Sequence, residues 1–236
     1  MLSKKSIIIL SSVIFIVVIA TGGFYVYKKG YLNGAPQVSP GSILEPEKLL
    51  TFEIKNKNLT LDQANLFQDR FGETKESLQK NPDDFNQWLY LGVLKKGVGD
   101  YEGSRDVFLY AGQIRPQSST PFANLADLYA YFLNEPQKAE AAIKKAIAND
   151  PNDYNFYISL ADIYQYKFPN GGALYEQTML EALQKFPDNP NLVSNLAAYY
   201  RQTNQVDKAI EYYEKLVRLA PGNETAKQDL EELRNK

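Results

Sequence analysis

Cysteine and histidine are both missing from the 236-residue chain. Without cysteine there is no disulfide, no thiolate nucleophile and no cysteine zinc site; without histidine the commonest metal ligand and general base is gone too. Catalysis would have to rest on carboxylates, Lys, Tyr or Ser. Acidic residues are absent before Glu45, where four of the 26 basic ones lie (Lys4, Lys5, Lys28 and Lys29). Residues 45–236 therefore carry 22 basic residues against 28 acidic ones, a net charge of −6. That balance argues against sequence-independent nucleic-acid binding, which needs a basic footprint. The chain as a whole, 44% hydrophobic and 23% charged, suits one globular unit with an appendage.

The appendage is N-terminal. From Ile7 to Tyr27 no residue is charged, with Lys4 and Lys5 before the run and Lys28 and Lys29 after it. About 20 residues at ~1.5 Å each span the ~30 Å hydrocarbon layer, so residues 7–27 read as one transmembrane helix. Tyr25 and Tyr27 would sit at the interface. A cleaved signal peptide is the alternative, with Val18 and Ala20 at small-residue cleavage positions; the apolar run continues past that site, which favours a retained anchor. The lysine balance favours a cytoplasmic N-terminus and an extracytoplasmic C-terminal domain. Residues 30–58 read as a linker, Gly-, Pro- and Ser-rich as far as Pro46, and "KLLTFEIKNKN" within it fits either an edge strand or an extended arm.

Beyond residue 80 the chain is periodic. Prolines recur at Pro82, Pro116, Pro151, Pro187 and Pro221, at intervals of 34, 35, 36 and 34 residues. After each of the first four comes a bulky residue (Trp88, Phe122, Tyr157, Val193). Three residues later there is a leucine (Leu91, Leu125, Leu160, Leu196), followed at once by a small residue (Gly92, Ala126, Ala161, Ala197). Tyr129, Tyr164 and Tyr200 lie one turn further on, where the first copy has Lys95. Steps of three and four place these positions on one helical face. A second helix follows in each copy, with Ser104, Phe108 and Ala111 returning as Ala139, Ile143 and Ala146 and as Ala209, Tyr213 and Leu216. The proline then ends the unit. Each copy is thus two short antiparallel helices that cannot bury their faces alone, and stacked copies share one interior. Gly92 would let the second helix approach closely, with Trp88 filling the space beside it, and Gly99 would supply a left-handed turn. Tyr175 stands where a small residue is expected, so the third copy's second helix is expected to be shifted or bulged. The extra residues of the second and third copies are placed in the turns "LNEPQ" and "KFPNGG".

On these residues the chain resembles the tetratricopeptide repeat (TPR) family. The fold expected is all-α, a solenoid of antiparallel helix pairs behind an N-terminal transmembrane helix. Its parts are an anchor (1–29), a linker (30–58), a packing helix (59–82), repeats at 85–118, 119–153, 154–189 and 190–223, and a capping helix (224–236). The packing helix opens on a Thr60–Gln63 capping box and resembles a second helix without its partner. The cap keeps Ala226, Leu230 and Leu233 on one face.

The resemblance implies a concave groove lined by the first helices, where an extended peptide lies. Carried onto this sequence, one row is Tyr90, Asn124, Ser159 and Asn195, whose amides and hydroxyls could hold a peptide backbone. The next is Val93, Asp127, Asp162 and Ala198, with Tyr131 and Tyr166 a turn on. The cationic set that grips a terminal carboxylate in some relatives is missing, Lys96 and Arg201 being the only cations near. The expected occupant is therefore a neutral or basic protein or peptide segment. No catalytic residue, metal, cofactor, nucleic acid or small-molecule substrate is expected, and the membrane is a partner only through residues 7–27. The function so implied is a membrane-anchored scaffold, an adaptor or assembly factor at the cell envelope. Its rivals are a self-associating structural repeat protein and a hydrolase subunit using Asp127 and Asp162 or a Ser/Lys pair. "NLT" at Asn58 and "NET" at Asn223 match the glycosylation pattern, which has meaning only in a eukaryotic secretory path.

Overall fold

The computed structural model describes residues 45–235; the expected membrane helix and most of the linker lie outside them. Among the described residues no helix is long and apolar enough to cross a membrane. The order is α1 (Pro46–Leu49), α2 (Leu61–Lys80), α3 (Phe85–Gly97), α4 (Tyr101–Ile114), α5 (Thr120–Tyr131), α6 (Pro136–Asn149), α7 (Tyr154–Lys167), α8 (Gly172–Lys185), α9 (Pro190–Gln202), α10 (Val206–Leu219) and α11 (Glu224–Arg234). From α2 onward each helix packs on its sequence neighbours, and α3/α4, α5/α6, α7/α8 and α9/α10 form successive pairs. The result is an all-α solenoid of helix pairs.

Three of the four pairs, and the last helix, start with the same local chemistry, the exception being α5, whose N-cap Ser119 makes no side-chain capping bond. Two residues after a proline, the side chains of Asp84, Asp153, Asn189 and Asn223 accept backbone N–H groups of the first turns of α3, α7, α9 and α11. Such caps satisfy donors that the helix itself cannot. Thr60 caps α2 through the expected box, its hydroxyl accepting from Gln63 N while the Gln63 side chain accepts from Thr60 N. Between the paired helices the chain reverses through a left-handed residue, Gly99 in the first copy (φ 81°) and Asn134, Asn170 and Asn204 in the others (φ 53°, 56° and 58°). Glycine and asparagine tolerate that conformation best.

The small-residue position does what its spacing implies. A Cβ added to Gly92 would lie 2.5 Å from the Phe108 ring, so α3 and α4 meet with no room for a methyl group. Ser104 Oγ, buried at the same contact, donates to Gly92 O at 2.8 Å. Trp88 is buried next to it, its indole N–H donating to Pro82 O at 2.8 Å and its ring edge-on to Tyr110. Tyr157 makes the corresponding bond, its hydroxyl donating to Pro151 O at 3.2 Å. Trp88 is a buried member of its core cluster, Phe122 and Tyr157 pack against theirs partly buried, and the core runs the length of the stack in three abutting clusters.

Two expectations are corrected. The helix containing Tyr175 is an uninterrupted run of 14 residues. The ring is accommodated because it slides between α8 and α9, stacked on Tyr199 with centroids 4.5 Å apart, rather than displacing its own helix. Residues 45–56, expected to be linker, are folded onto the solenoid. Leu49 of α1 is buried, Phe52 stacks on Phe71 of α2 at 4.5 Å, and Lys55 N and Asn56 N both donate to Val98 O. This is the extended arm of the two alternatives, held at the α3–α4 corner.

Candidate functional site

The first helices turn one side to the second helices and leave the other open. On that open face Tyr90, Val93, Tyr131 and Tyr166 are exposed at 40%, 49%, 47% and 64%. They are large apolar or amphipathic side chains on the helices whose opposite sides supply Leu91, Leu125 and Leu160 to the core. Their exposure is set by helical geometry, since at about 100° per residue offsets of one, two and six places from the core leucine all point about 100–160° away from it.

The polar row is partly self-satisfied. Asn124 Nδ2 donates to Thr120 O at 2.9 Å and Asn195 Nδ2 to Asn191 O at 2.8 Å, each bond reaching back one turn. What these amides leave for a ligand is the carbonyl oxygen, an acceptor for a peptide N–H. Ser159, on α7, is exposed.

The charged positions differ from one another. Asp127 is salt-bridged to Lys96 of the preceding repeat, whose ammonium also lies 4.7 Å from the Phe132 ring centroid. Arg201 is held by Asp229 and, at 3.0 Å, Glu232 of the capping helix. The two cations expected beside the groove are thus neutralised in cis, and a third, Lys167, sits 4.7 Å from the Tyr131 ring centroid. Spacing alone missed Lys167, which follows Tyr166 in the chain. Asp162 is half-buried and has no ion-pair or hydrogen-bond partner among the described residues. Burial pushes its carboxyl above the ordinary range. Asp127, paired with Lys96, and Asp162, without such a partner, thus sit in different electrostatic surroundings.

A second polar cluster lies away from this face, under the arm. Lys95 is buried, its Nζ donating to Thr51 O at 2.6 Å and to Asp100 Oδ2 at 3.1 Å, while Lys55 Nζ donates to Asp100 Oδ1 at 2.7 Å. Burial pushes the Asp100 carboxyl up, but the hydrogen bonds and charges of Lys55 and Lys95 outweigh it and hold the group below its ordinary value. Cavities of about 260 Å³ and 460 Å³ flank the arm, the first bordered by Phe52, Lys95 and Asp100, the second by Leu50, Leu78 and Trp88. The sequence signal for this cluster is Lys95 itself, an ammonium where the other copies have a phenol.

The tetratricopeptide repeat family matches residues 121–153 and 190–223. Anaphase-promoting complex subunit 7 of Arabidopsis thaliana is 25% identical over 118 residues, covering 50% of this chain but only 21% of that protein. Among solved structures, MamA superposes with a TM-score of 0.54 at 16% identity, over 71% of this chain and 98% of its own. YrrB, a TPR protein with an unusual peptide-binding site, superposes with a TM-score of 0.50 at 12% identity, over 68% of this chain and 81% of its own. Residues 121–153 and 190–223 thus match tetratricopeptide repeats, and the fold of the described residues is an all-α solenoid of helix pairs similar to those of solved TPR proteins.

Proposed function

We propose that the protein is a membrane-tethered TPR scaffold whose first-helix face binds an extended protein or peptide segment, acting as an adaptor or assembly factor at the cell envelope. The observation that carries this reading is the line of exposed Tyr90, Val93, Tyr131 and Tyr166 on the first helices of three successive repeats. Aromatic rings on a rigid frame bury much area at little entropic cost, the usual makings of a binding surface. The acceptor oxygens of Asn124 and Asn195 lie on the same face and suit a peptide backbone. YrrB, similar in fold, is a peptide binder by its description, which supports the reading by analogy. The apolar run at residues 7–27 would keep scaffold and partner at one membrane surface, most simply with the repeats on the extracytoplasmic side.

A photo-crosslinking residue at position 124 or 159 of the full-length chain in cells is expected to trap a discrete protein partner, identified by mass spectrometry. The same residue at position 214, on α10, is expected to trap none. Equal trapping from both faces would overturn the assignment of the face. Protease protection of the repeat domain in sealed vesicles tests the topology separately.

A further inference from the structure

We infer that the bound segment presents one lysine or arginine, and that its charged end docks on Asp162 beside the rings of Tyr131 and Tyr166. This rests on the first-helix face being where the partner lies. The argument is one of unbalanced charge. Of the charges placed on this face, Lys96 and Asp127 cancel each other, Arg201 is cancelled by Asp229 and Glu232, and Lys167 lies against the Tyr131 ring without an ion pair to Asp162. Asp162 is left with no ion-pair or hydrogen-bond partner among the described residues. A carboxylate partly withdrawn from water without a partner is unfavourable, and a cation brought by a ligand relieves that cost.

The surroundings suit a cation rather than any other donor. Tyr166 lies one turn beyond Asp162 on α7, and α5, which ends at Tyr131, contacts α7. The Asp162 charge acts on the hydroxyls of both Tyr131 and Tyr175. Tyr175 is buried, and its hydroxyl donates to Asn195 O at 3.4 Å, so it does not serve the carboxylate. Tyr131 and Tyr166 are the exposed pair. An ammonium already rests on the Tyr131 ring, that of Lys167, so this ring accepts cations within the chain's own structure. A guanidinium fits best, since it can pair with the carboxylate in its plane and stack on a ring with its face.

The test uses the full-length protein in lipid nanodiscs, panned against a displayed library of random dodecapeptides. Wild-type protein is expected to select peptides sharing one aligned Lys or Arg. Asp162→Asn, close to isosteric, should keep the helical circular dichroism and bind those peptides at least about tenfold more weakly. Replacing the aligned Arg by citrulline should weaken binding to wild type as much and to Asp162→Asn hardly at all. Selected peptides without an aligned cation, or equal binding by the two proteins, overturn the inference. Ser159→Trp, which fills the face, separates this from failure of the functional reading. If the selected peptides bind the Ser159→Trp variant as well as wild type, or none is selected, the face is not the binding site and both proposals fall. If Ser159→Trp blocks binding but the cation is immaterial, only the inference falls.

Discussion

The first repeat and the three that follow share a backbone plan, and at two positions where the first departs from the others the difference faces the N-terminal arm. Where Tyr129, Tyr164 and Tyr200 stand in the later copies, the first has Lys95. The later tyrosines look inward to the stack: Tyr164 donates to Glu140 at 2.7 Å and Tyr200 to Glu176 at 2.9 Å, each on the second helix of the preceding copy. Lys95 instead reaches Thr51 O of the arm and Asp100. Where Asn134, Asn170 and Asn204 make the corner, the first copy has Gly99, and a Cβ there would come within 3.1 Å of Asn56 N. A repeat inside a solenoid completes its core against its neighbour. The first repeat has α2 on one side but also accommodates a length of extended chain, and its sequence is altered at the points where that chain crosses.

The sharpest way to break this comparison is to remove the ammonium. Lys95→Ala leaves Asp100 and Thr51 O short of a buried partner, and the expected loss is about 3 kcal/mol, at the low end for a broken buried pair because Lys55 still faces Asp100. Tyr200→Phe removes only a hydroxyl and should cost about 1 kcal/mol. Thermal or denaturant unfolding of the two variants decides it; equal losses would mean that Lys95 merely fills volume. The arm itself reports pH. The folded Asp100 carboxyl lies below its ordinary value, so its contribution is fully present above the unfolded pKa of ~3.9 and is lost as pH falls through the lower folded value. Limited proteolysis within residues 50–58 should stay slow at pH 5 and accelerate only below about pH 4. Acceleration already at pH 6 would show that this ion cluster does not hold the arm.

The knob and its gap can be exchanged between copies. Gly92 faces Phe108, while Ala126 faces the shorter Ile143 in the second copy, at the same two positions. Gly92→Ala is expected to cost about 1–3 kcal/mol, because the ring must move to admit the methyl group. Gly92→Ala combined with Phe108→Ile rebuilds the second copy's pair, and the double variant should be less destabilised than the sum of the two singles by at least about 0.5 kcal/mol. Strict additivity in chemical denaturation would mean that the two positions do not answer each other.

How much of this is legible in the sequence depends on the range of the interaction. The helix pairs are legible because prolines, leucines and small residues recur at near-constant spacing, and each mark acts within a few turns of its own position. The corner glycine is recognisable by type; Asn134, Asn170 and Asn204 do the same work without standing out, since asparagine is common on any surface. Lys95 is visible as a departure, but its partner Thr51 is a backbone carbonyl 44 residues away, which no side-chain pattern marks. On the open face the row positions follow from helical geometry, whereas the cancellation of Asp127 by Lys96 depends on how two repeats are set against each other. Tyr175 illustrates the same limit: a large residue in a small slot suggests a shifted helix, and only the neighbouring Tyr199 reveals where the ring goes.

The smallest effect isolates the arm from the corner's own conformation. Asparagine adopts the left-handed region well, as Asn134, Asn170 and Asn204 do, so Gly99→Asn leaves the turn nearly undisturbed. What it adds is a Cβ against Asn56 N, and the arm must give by a few tenths of an ångström or detach. The expected cost is about 0.5–1 kcal/mol in the otherwise native chain, against a change within about 0.5 kcal/mol for the reverse exchange, Asn204→Gly. Repeating Gly99→Asn in the Lys95→Ala background, where the arm has lost a buried anchor, should shrink its cost towards that of the later corners. If the cost is the same in both backgrounds, the glycine answers to the turn alone, and the first repeat is not shaped at this corner by the chain that crosses it.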